Sequence, residues 1–241
     1  ASDVYKRQID DSVPVLLFDR GDGPAGRRVV AGINDDTANG ERLLVSPHPG
    51  VVLLSHLIAP LLALRPRRVA ATLLLPTSLH DEPGFDELFE QTRGILNFQG
   101  EMPTSIFPAQ LAFNLLPGAG SAAIGRQVAE VLGSEVSVSA HALQAPIFHG
   151  VGASVHLETS EPASAEAIRQ ALDGSDYLKM VDDPDTLGPV HAAAREEILI
   201  GAIQPLDDGP THFGLWVVMD NLTRGGGHNA AEIAQRVLAD S

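Results

Sequence analysis

A buried strand that enters a short Pro/Gly turn and leaves it as an apolar helix constrains this fold most. The strand is residues 43–45 (LLV), the turn is residues 46–50 (SPHPG), and the apolar stretch continues over residues 51–64. A second apolar run, residues 67–75, ends at Pro76 and is typical of a buried strand. Strand, helix and strand at this spacing predict a βαβ-like unit. Because strand ends and helix N-termini often carry reactive groups, we expect an active-site elbow at residues 46–64.

The acidic, cysteine-free composition disfavours or excludes several classes of function. With 241 residues, 44% of them hydrophobic, the chain is long enough for one large or two small domains with a core. A formal charge of −15, with a basic cluster only at residues 65–68, disfavours nucleic acid and anionic membranes. No secretion signal or membrane-spanning run is predicted, so a cytoplasmic protein is expected. The absence of cysteine excludes disulfides, thiolate metal sites and thiolate nucleophiles.

The hydrophobic periodicity predicts an α/β fold with a mixed sheet and helices on one face. Helices are expected over residues 81–97 and 121–132, the second ended by Gly133. From residue 135 the period becomes two, which predicts long antiparallel strands over residues 136–142 and 147–158. Shorter elements are expected at residues 13–18, 28–32, 164–172, 177–181, 197–204, 212–219 and 230–238.

Residues 21–26 (GDGPAG) match the G-x-G-x-x-G pattern of dinucleotide-binding turns. That turn requires a strand before it and a helix opening on it. Here Pro24 lies inside the pattern and another β-like segment follows it. A polar surface loop is therefore predicted instead.

Several segments together resemble the aspartate-semialdehyde dehydrogenases. They are residues 89–93 (FEQTR), 107–114 (FPAQLAFN), 136–139 (VSVS), 146–150 (PIFHG), 215–222 (LWVVMDNL), 225 and 229–230. The resemblance implies an N-terminal Rossmann domain that binds NADP and a C-terminal catalytic and dimerisation domain with a mixed sheet. We accordingly expect these divisions: a non-native extension at 1–8, the tail of the Rossmann domain at 9–47, a catalytic/dimerisation-type domain at 48–219, and a returning C-terminal helix at 220–241. The cofactor-binding turn itself would lie upstream of Ile9.

The resemblance also implies where catalytic groups of the family would stand. The family reduces an acyl phosphate through a thioester, using a cysteine, a histidine, an arginine that holds the substrate carboxylate, and a glutamine. Spacing places the cysteine on Pro49 and the glutamine on Leu74. It places the arginine on Gln144 and the histidine on Val151. None of these residues can perform the corresponding step, so no catalytic residue is assigned and the chain resembles the non-catalytic, Usg-like branch of the family.

The cofactor and partner expectations also follow from the resemblance. Asn221 and Gly225 would lie near the nicotinamide, so residual binding of NADP is one expectation. A homodimer formed by the strands at 136–142 and 147–158 is another, and the replacements give no support to a small-molecule substrate. The alternative function is an NADP-dependent semialdehyde dehydrogenase of lysine, threonine and methionine biosynthesis with altered chemistry.

Four other features are weighed from the residues themselves. A hydrolase would use Ser46 with His48, or Ser55 with His56, but the G-x-S-x-G pattern is absent. A metal site would use the histidines at 141, 149 and 156, whose spacing matches no metal signature. An anion site at residues 225–227 and a solvated acidic turn at 182–185 complete the set.

Overall fold

The computed structural model describes residues 14–19, 25–206 and 209–239, arranged as two sheets with helices packed on them. Residues 1–8, which are predicted to be a non-native extension, lie outside the described residues. Most of the predicted glycine loop at 21–26 does so as well. The strands are β1 (Val15–Phe18), β2 (Arg27–Arg28), β3 (Leu43–Ser46), β4 (Pro66–Leu75), β5 (Leu116–Pro117), β6 (Ser137–Gln144), β7 (Val151–Thr159), β8 (Leu178–Met180), β9 (Ile198–Pro205) and β10 (His212–Met219). The α-helices are α1 (Pro49–Ile58), α2 (Asp81–Leu96), α3 (Ser121–Leu132), α4 (Ala165–Asp173) and α5 (Asn229–Ala239). Short 3-10 turns include Ala59–Leu64 and Thr77–His80, and a π-helix covers Thr223–His228.

The smaller sheet has the strand order β1-β3-β2 with both pairings parallel. The C-terminal helix α5 packs on it, since Ile233 belongs to the same buried cluster as Val29, Ala31 and Leu44. The fully buried Asn229 side chain joins helix α5 to the smaller sheet and the segment that follows β2. Its Oδ1 accepts from the Ala31 amide at 2.9 Å. Its Nδ2 donates to the Val29 carbonyl at 3.3 Å and to Ser46 Oγ at 2.8 Å. The two ends of the described chain are therefore held together by specific hydrogen bonds.

The larger sheet has seven strands in the order β5-β6-β4-β7-β10-β9-β8. The pairs β4–β6 and β8–β9 are parallel, and the other four pairs are antiparallel. The predicted α/β fold with a mixed sheet is confirmed. Strand β4 lies inside the sheet between β6 and β7, as expected of a continuous apolar run.

The two alternating segments that follow residue 135 are strands, but they do not pair with each other. Each pairs with β4, in parallel for β6 and in antiparallel for β7. The second strand begins at Val151 rather than Ile147, since Gly150 turns the chain with φ of +88°. The carbonyls of Ile147 and Phe148 accept from the Thr77 and Ser78 amides, at 2.8 and 3.1 Å, instead of entering the sheet.

The core lies on one face of the larger sheet. Side chains from β4, β7 and β10 pack there against α1, α3 and α4, among them Leu73, Val155, Leu215 and Leu54. Helix α2 packs instead on the connector before β5, through Leu88 and neighbouring apolar residues. No helix among the described residues is long and apolar enough to cross a membrane.

The opposite face of the larger sheet leaves polar and aromatic side chains uncovered. We call it the open face and define it by Thr72, His141, Ser154, His156 and Trp216. The first three and Trp216 form one row across β6, β4, β7 and β10. His141, Ser154 and His156 are exposed, whereas Thr72 and Trp216 are half-buried.

Candidate functional site

The elbow predicted from the sequence is present at the junction of β3 and α1. Strand β3 ends at Ser46, and α1 begins at Pro49 with His48 as its N-cap. The His48 Nδ1 accepts a hydrogen bond from the Gly50 amide at 3.0 Å, which satisfies one of the free donors of the first helical turn. Proline suits the first helical position because its missing N–H would have no partner there.

The ionisation of His48 is set by its burial. Only 6% of the residue is exposed, and desolvation lowers the pKa of its imidazole to about 4, against an opposing effect of the Asp19 carboxylate. The ring is therefore neutral at pH 7. Because Nδ1 accepts from Gly50, the proton lies on Nε2. His48 thus provides a neutral N–H donor beside the elbow.

Pro49, which stands where the resemblance would place the nucleophile, is packed against the π-helix. A Cβ added to Gly225 would lie 2.9 Å from the Pro49 Cβ and 2.7 Å from the Met219 Cε. Glycine is therefore required at position 225 for close packing alone. The proline ring carries no group that could attack a carbonyl carbon.

Gln144 ends β6 and is fixed at both ends of its amide. Its Nε2 donates to the Leu75 carbonyl at 3.0 Å, and its Oε1 lies 3.2 Å from the His80 Nε2. Since the amide nitrogen is the group bonded to a carbonyl, Oε1 is the acceptor and His80 donates. The edge of the His80 ring meets Phe107, with centroids 5.1 Å apart.

The other two positions carried over from the family are Val151 and Leu74. Val151 is fully buried at the start of β7 and is paired with Met219. Leu74 points to the sheet face opposite α1, because alternate residues of a strand face opposite ways and Leu73 contacts the elbow. A Cβ on Gly50 would lie 2.8 Å from the Leu73 Cδ1.

A cavity of about 570 Å³ joins His48 and Gln144. We call it the elbow cavity. Its wall is mostly apolar, and its lining is His48, Leu75, Leu79, His80, Asp81, Pro83, Ile106, Phe107, Pro108, Leu116, Pro117, Gly118, Ala119 and Gln144. The lining contains one acidic residue and no lysine or arginine. Two of the lining residues, His80 and Asp81, were not predicted from the sequence to belong to a site.

Asp81 has an unusual backbone conformation at the margin of this cavity. Its φ of +57° and ψ of −157° fall in a region that is occupied almost only by glycine. The residue joins the 3-10 turn Thr77–His80 to helix α2. No sequence pattern signals this conformation, since aspartate at a helix start is ordinarily unstrained.

Asn221 and Gly225, expected near a nicotinamide, are engaged within the protein. Asn221 is 3% exposed; its Oδ1 accepts from the Gly150 amide at 2.8 Å and its Nδ2 donates to Ser78 Oγ at 3.1 Å. In the π-helix, the Gly225 and Gly227 amides donate to the carbonyls of Asp220 and Leu222. These contacts hold the Asn221 side chain and the Gly225 and Gly227 amides within the protein.

The residue pairs of the hydrolase alternative are not joined by hydrogen bonds in the described residues. Ser46 Oγ accepts from Asn229, and His48 bonds the Gly50 amide. Ser55 and His56 are both inside α1 and fully buried, and their side-chain polar atoms have no hydrogen-bond partner within the described residues. No nucleophile–base pair is formed by any of them.

The three histidines of the metal alternative are not assembled. His141 is on β6 and His156 on β7, with β4 between them. His149 precedes β7 and stacks near Phe85 at 5.9 Å. In residues 14–19, 25–206 and 209–239, no group of three or more His, Cys, Asp or Glu residues is placed to hold a metal ion.

Comparison with known proteins agrees with this architecture. Among curated proteins, the USG-1 protein homologs of Azotobacter vinelandii and Pseudomonas aeruginosa are 30% and 32% identical, over 88% and 81% of this chain. The aspartate-semialdehyde dehydrogenase of Rickettsia bellii is 26% identical over 71% of it. The chain spans 67%, 62% and 54% of the lengths of these three relatives, respectively.

Solved structures show the same fold. The structure of a probable aspartate-semialdehyde dehydrogenase from Pseudomonas aeruginosa is 26% identical, with a TM-score of 0.88 over 99% of this chain and 77% of that one. Aspartate semialdehyde dehydrogenase II from Vibrio cholerae, at 23% identity, has a TM-score of 0.82 over 88% of this chain and 68% of its own. Residues 82–224 match the family described as semialdehyde dehydrogenase, dimerisation domain. The predicted resemblance is confirmed, and the chain belongs to the semialdehyde dehydrogenase family.

Proposed function

We propose that this chain is a non-catalytic, USG-1-like homologue of the aspartate-semialdehyde dehydrogenases that acts as a homodimer. The observation that carries the proposal is the elbow itself, where Pro49 occupies the nucleophile's position in a chain without cysteine. Gln144, in place of the carboxylate-binding arginine, is a neutral amide held by Leu75 and His80. A thioester cannot form without a thiolate, and a neutral amide cannot replace a bidentate cation.

An assay of the full-length protein tests the loss of catalysis. Purified protein is mixed with NADPH and an acyl phosphate generated by a coupled kinase, and absorbance of NADPH is followed. We expect a rate equal to that without protein. Acyl-phosphate-dependent oxidation of NADPH would contradict the proposal and support the alternative, a functional NADP-dependent dehydrogenase with altered chemistry.

Binding of NADP is a separate question from turnover. Since the Asn221 amide and the amides of Gly225 and Gly227 are bonded internally, we propose that these residues have a structural role rather than a cofactor role. In calorimetric titrations with NADPH, we expect the heat of binding to be the same for the wild type and for Asn221→Ala. Loss of a measurable affinity in that variant would restore Asn221 as a cofactor contact.

The proposed dimer uses the open face. Its central row carries small and aromatic side chains, and the exposed Ser154 lies between Thr72 and Trp216 in that row. A surface of this kind can pack against its own copy around a two-fold axis without introducing a buried charge. The family description of residues 82–224 as a dimerisation domain supports the same use.

Light scattering of the intact protein tests the dimer. We expect the mass of two chains for the wild type and of one chain for Ser154→Arg, because a buried, unpaired guanidinium at the centre of the interface is costly. Gln170→Arg, which adds the same charge at an exposed site on α4, is the matched control and is expected to remain dimeric. A monomeric wild type would contradict the proposal.

The remaining partners and the location are proposed on composition. The charge of −15 supports a protein that binds neither nucleic acid nor membranes. The acidic composition and the match to the semialdehyde dehydrogenase family together support a cytoplasmic location.

A further inference from the structure

We propose that the elbow cavity binds an uncharged small molecule that has an apolar body and a primary amide-like hydrogen-bonding group. The inference rests on the proposed loss of catalysis and gives the cavity a ligand class unlike the anionic acyl phosphate implied by the family resemblance. Its volume of about 570 Å³ lies within the range of small-molecule sites.

The apolar part of the ligand is inferred from the cavity wall. The apolar residues of the lining include Leu75, Leu79, Ile106, Phe107 and Leu116. Phe107 and Leu116 belong to a buried cluster with Leu88 and Leu111, so these two residues are anchored by packing. Contact with such a wall favours a hydrocarbon group, which gains by leaving water.

The polar part is inferred from two imidazole groups, those of His48 and His80. His48 offers an Nε2–H donor, because its Nδ1 is occupied by the Gly50 amide. His80 donates from Nε2 to Gln144, and in the tautomer that carries its proton on Nε2 the Nδ1 atom is an acceptor. A primary amide carries both an acceptor and a donor and therefore complements the pair.

The exclusion of anions follows from the charges of the lining. The lining includes no lysine or arginine, and its one acidic residue is Asp81. Burial keeps His48 neutral at pH 7. A carboxylate or phosphate would lose its hydration without gaining a counter-charge, which is strongly unfavourable.

A pair of probes with the same body tests the proposal in the full-length protein. The probes are 3-phenylpropanamide and 3-phenylpropanoate, measured by saturation-transfer NMR and titration at pH 7.5. We expect the amide to bind with Kd on the order of 1 mM, as is usual for a ligand of this size, and at least about tenfold more tightly than the carboxylate. Equal binding of the two probes, or no binding of the amide at about ten times that Kd, would overturn the proposal.

Two variants localise the binding. Gln144→Arg is expected to reverse the preference in favour of the carboxylate, and Gln170→Arg, with the same charge change on α4, is expected to leave it unaltered. Leu79→Trp is expected to weaken amide binding by filling the cavity, and it provides the test if Gln144→Arg does not fold. Amide binding that is unchanged in both Gln144→Arg and Leu79→Trp, when both variants are folded, would place the probe elsewhere and overturn the proposal.

The failure of this inference is distinguishable from failure of the proposed function. NADPH oxidation and the mass of the protein are measured without either probe. An active or monomeric protein that still prefers the amide would contradict the proposed function and leave the elbow cavity's ligand class standing.

Discussion

His56 lies inside α1 with 1% of its surface exposed, and neither ring nitrogen has a hydrogen-bond partner within the described residues. Its ring stacks on Tyr177, with centroids 4.3 Å apart. Burial, together with the positive charge of Arg224, lowers its pKa to about 3. The folded protein therefore holds a neutral ring, whereas the unfolded chain takes up a proton below its ordinary pKa of 6.5.

We expect the free energy of unfolding to fall as the pH falls below about 6.5, by about 1.4 kcal/mol per pH unit for His56. His48, whose pKa is about 4, adds a similar dependence down to that pH. The variant His56→Leu is expected to lose the part of this pH dependence that comes from His56. Because it eliminates two unbonded nitrogens, it is not expected to destabilise the protein at pH 7.5. Urea unfolding at pH 7.5 and 5.0 measures both effects.

The matched control for this prediction is His149→Leu, which changes an exposed histidine. It is expected to keep the pH dependence of the wild type. If His56→Leu shows the same acid-induced loss as the wild type, the buried neutral state of His56 is contradicted.

Single residues also show which parts of the candidate site could be predicted from the sequence alone. The spacing of the resemblance placed Pro49 at the elbow, and the structure has it at the first position of α1. Spacing did not show that Leu74 faces away from the elbow while Leu73 meets it, because a shift of one residue in a strand reverses its face. Nor did it show the His80–Gln144 contact, which joins residues 64 positions apart.

At the scale of elements, helix α3 lies unusually close to strand β6. A Cβ added to Gly125 would be 2.3 Å from the Val138 carbonyl oxygen, a backbone atom that cannot move without displacing the strand. Gly125→Ala is therefore expected to lower the free energy of unfolding by about 1–3 kcal/mol, despite the better helix propensity of alanine. Urea unfolding at pH 7.5 measures the change.

Gly174→Ala is the matched control, because a Cβ there would meet its nearest atom at an ordinary 3.6 Å. Its φ of −77° is open to alanine, so this variant is expected to be neutral or stabilised by up to about 1 kcal/mol. A Gly125→Ala protein as stable as Gly174→Ala would show that α3 is not in close contact with β6.

The helices and strands themselves were easier to predict than the order in which the strands lie in the sheet. Period and capping signals predicted the helices at 81–97 and 121–132, found as α2 and α3. The period of two predicted β6 and β7 but not that β4 separates them. Alternation reports which face of a strand is buried and carries no information on which strand lies beside it.

At the scale of the whole molecule, Asn229 is the buried link between α5, the smaller sheet and the elbow. Its amide makes three hydrogen bonds, to Ala31, Val29 and Ser46. Asn229→Ala would leave these buried groups unpaired, so we expect a loss of about 2–4 kcal/mol and faster hydrogen exchange in α5. Asn114→Ala, which removes exposed local bonds only, is expected to change stability by less than about 1 kcal/mol.

The concentration dependence of thermal unfolding gives a second test of the proposed dimer. If two chains associate through the open face, unfolding releases two chains, and the unfolding midpoint must rise with protein concentration. For a dimer of this size, a hundredfold increase in concentration is expected to raise Tm by about 3 °C.

The variant Ser154→Arg makes that expectation specific to the open face. A monomeric variant should unfold at a lower Tm that does not depend on concentration, whereas Gln170→Arg should follow the wild type. Because Ser154 is exposed and its side chain makes no hydrogen bond in the described residues, the substitution removes no side-chain hydrogen bond within one chain. A concentration-independent Tm for the wild type, or an unchanged dependence in Ser154→Arg, would therefore contradict association through this face rather than report damage to the fold.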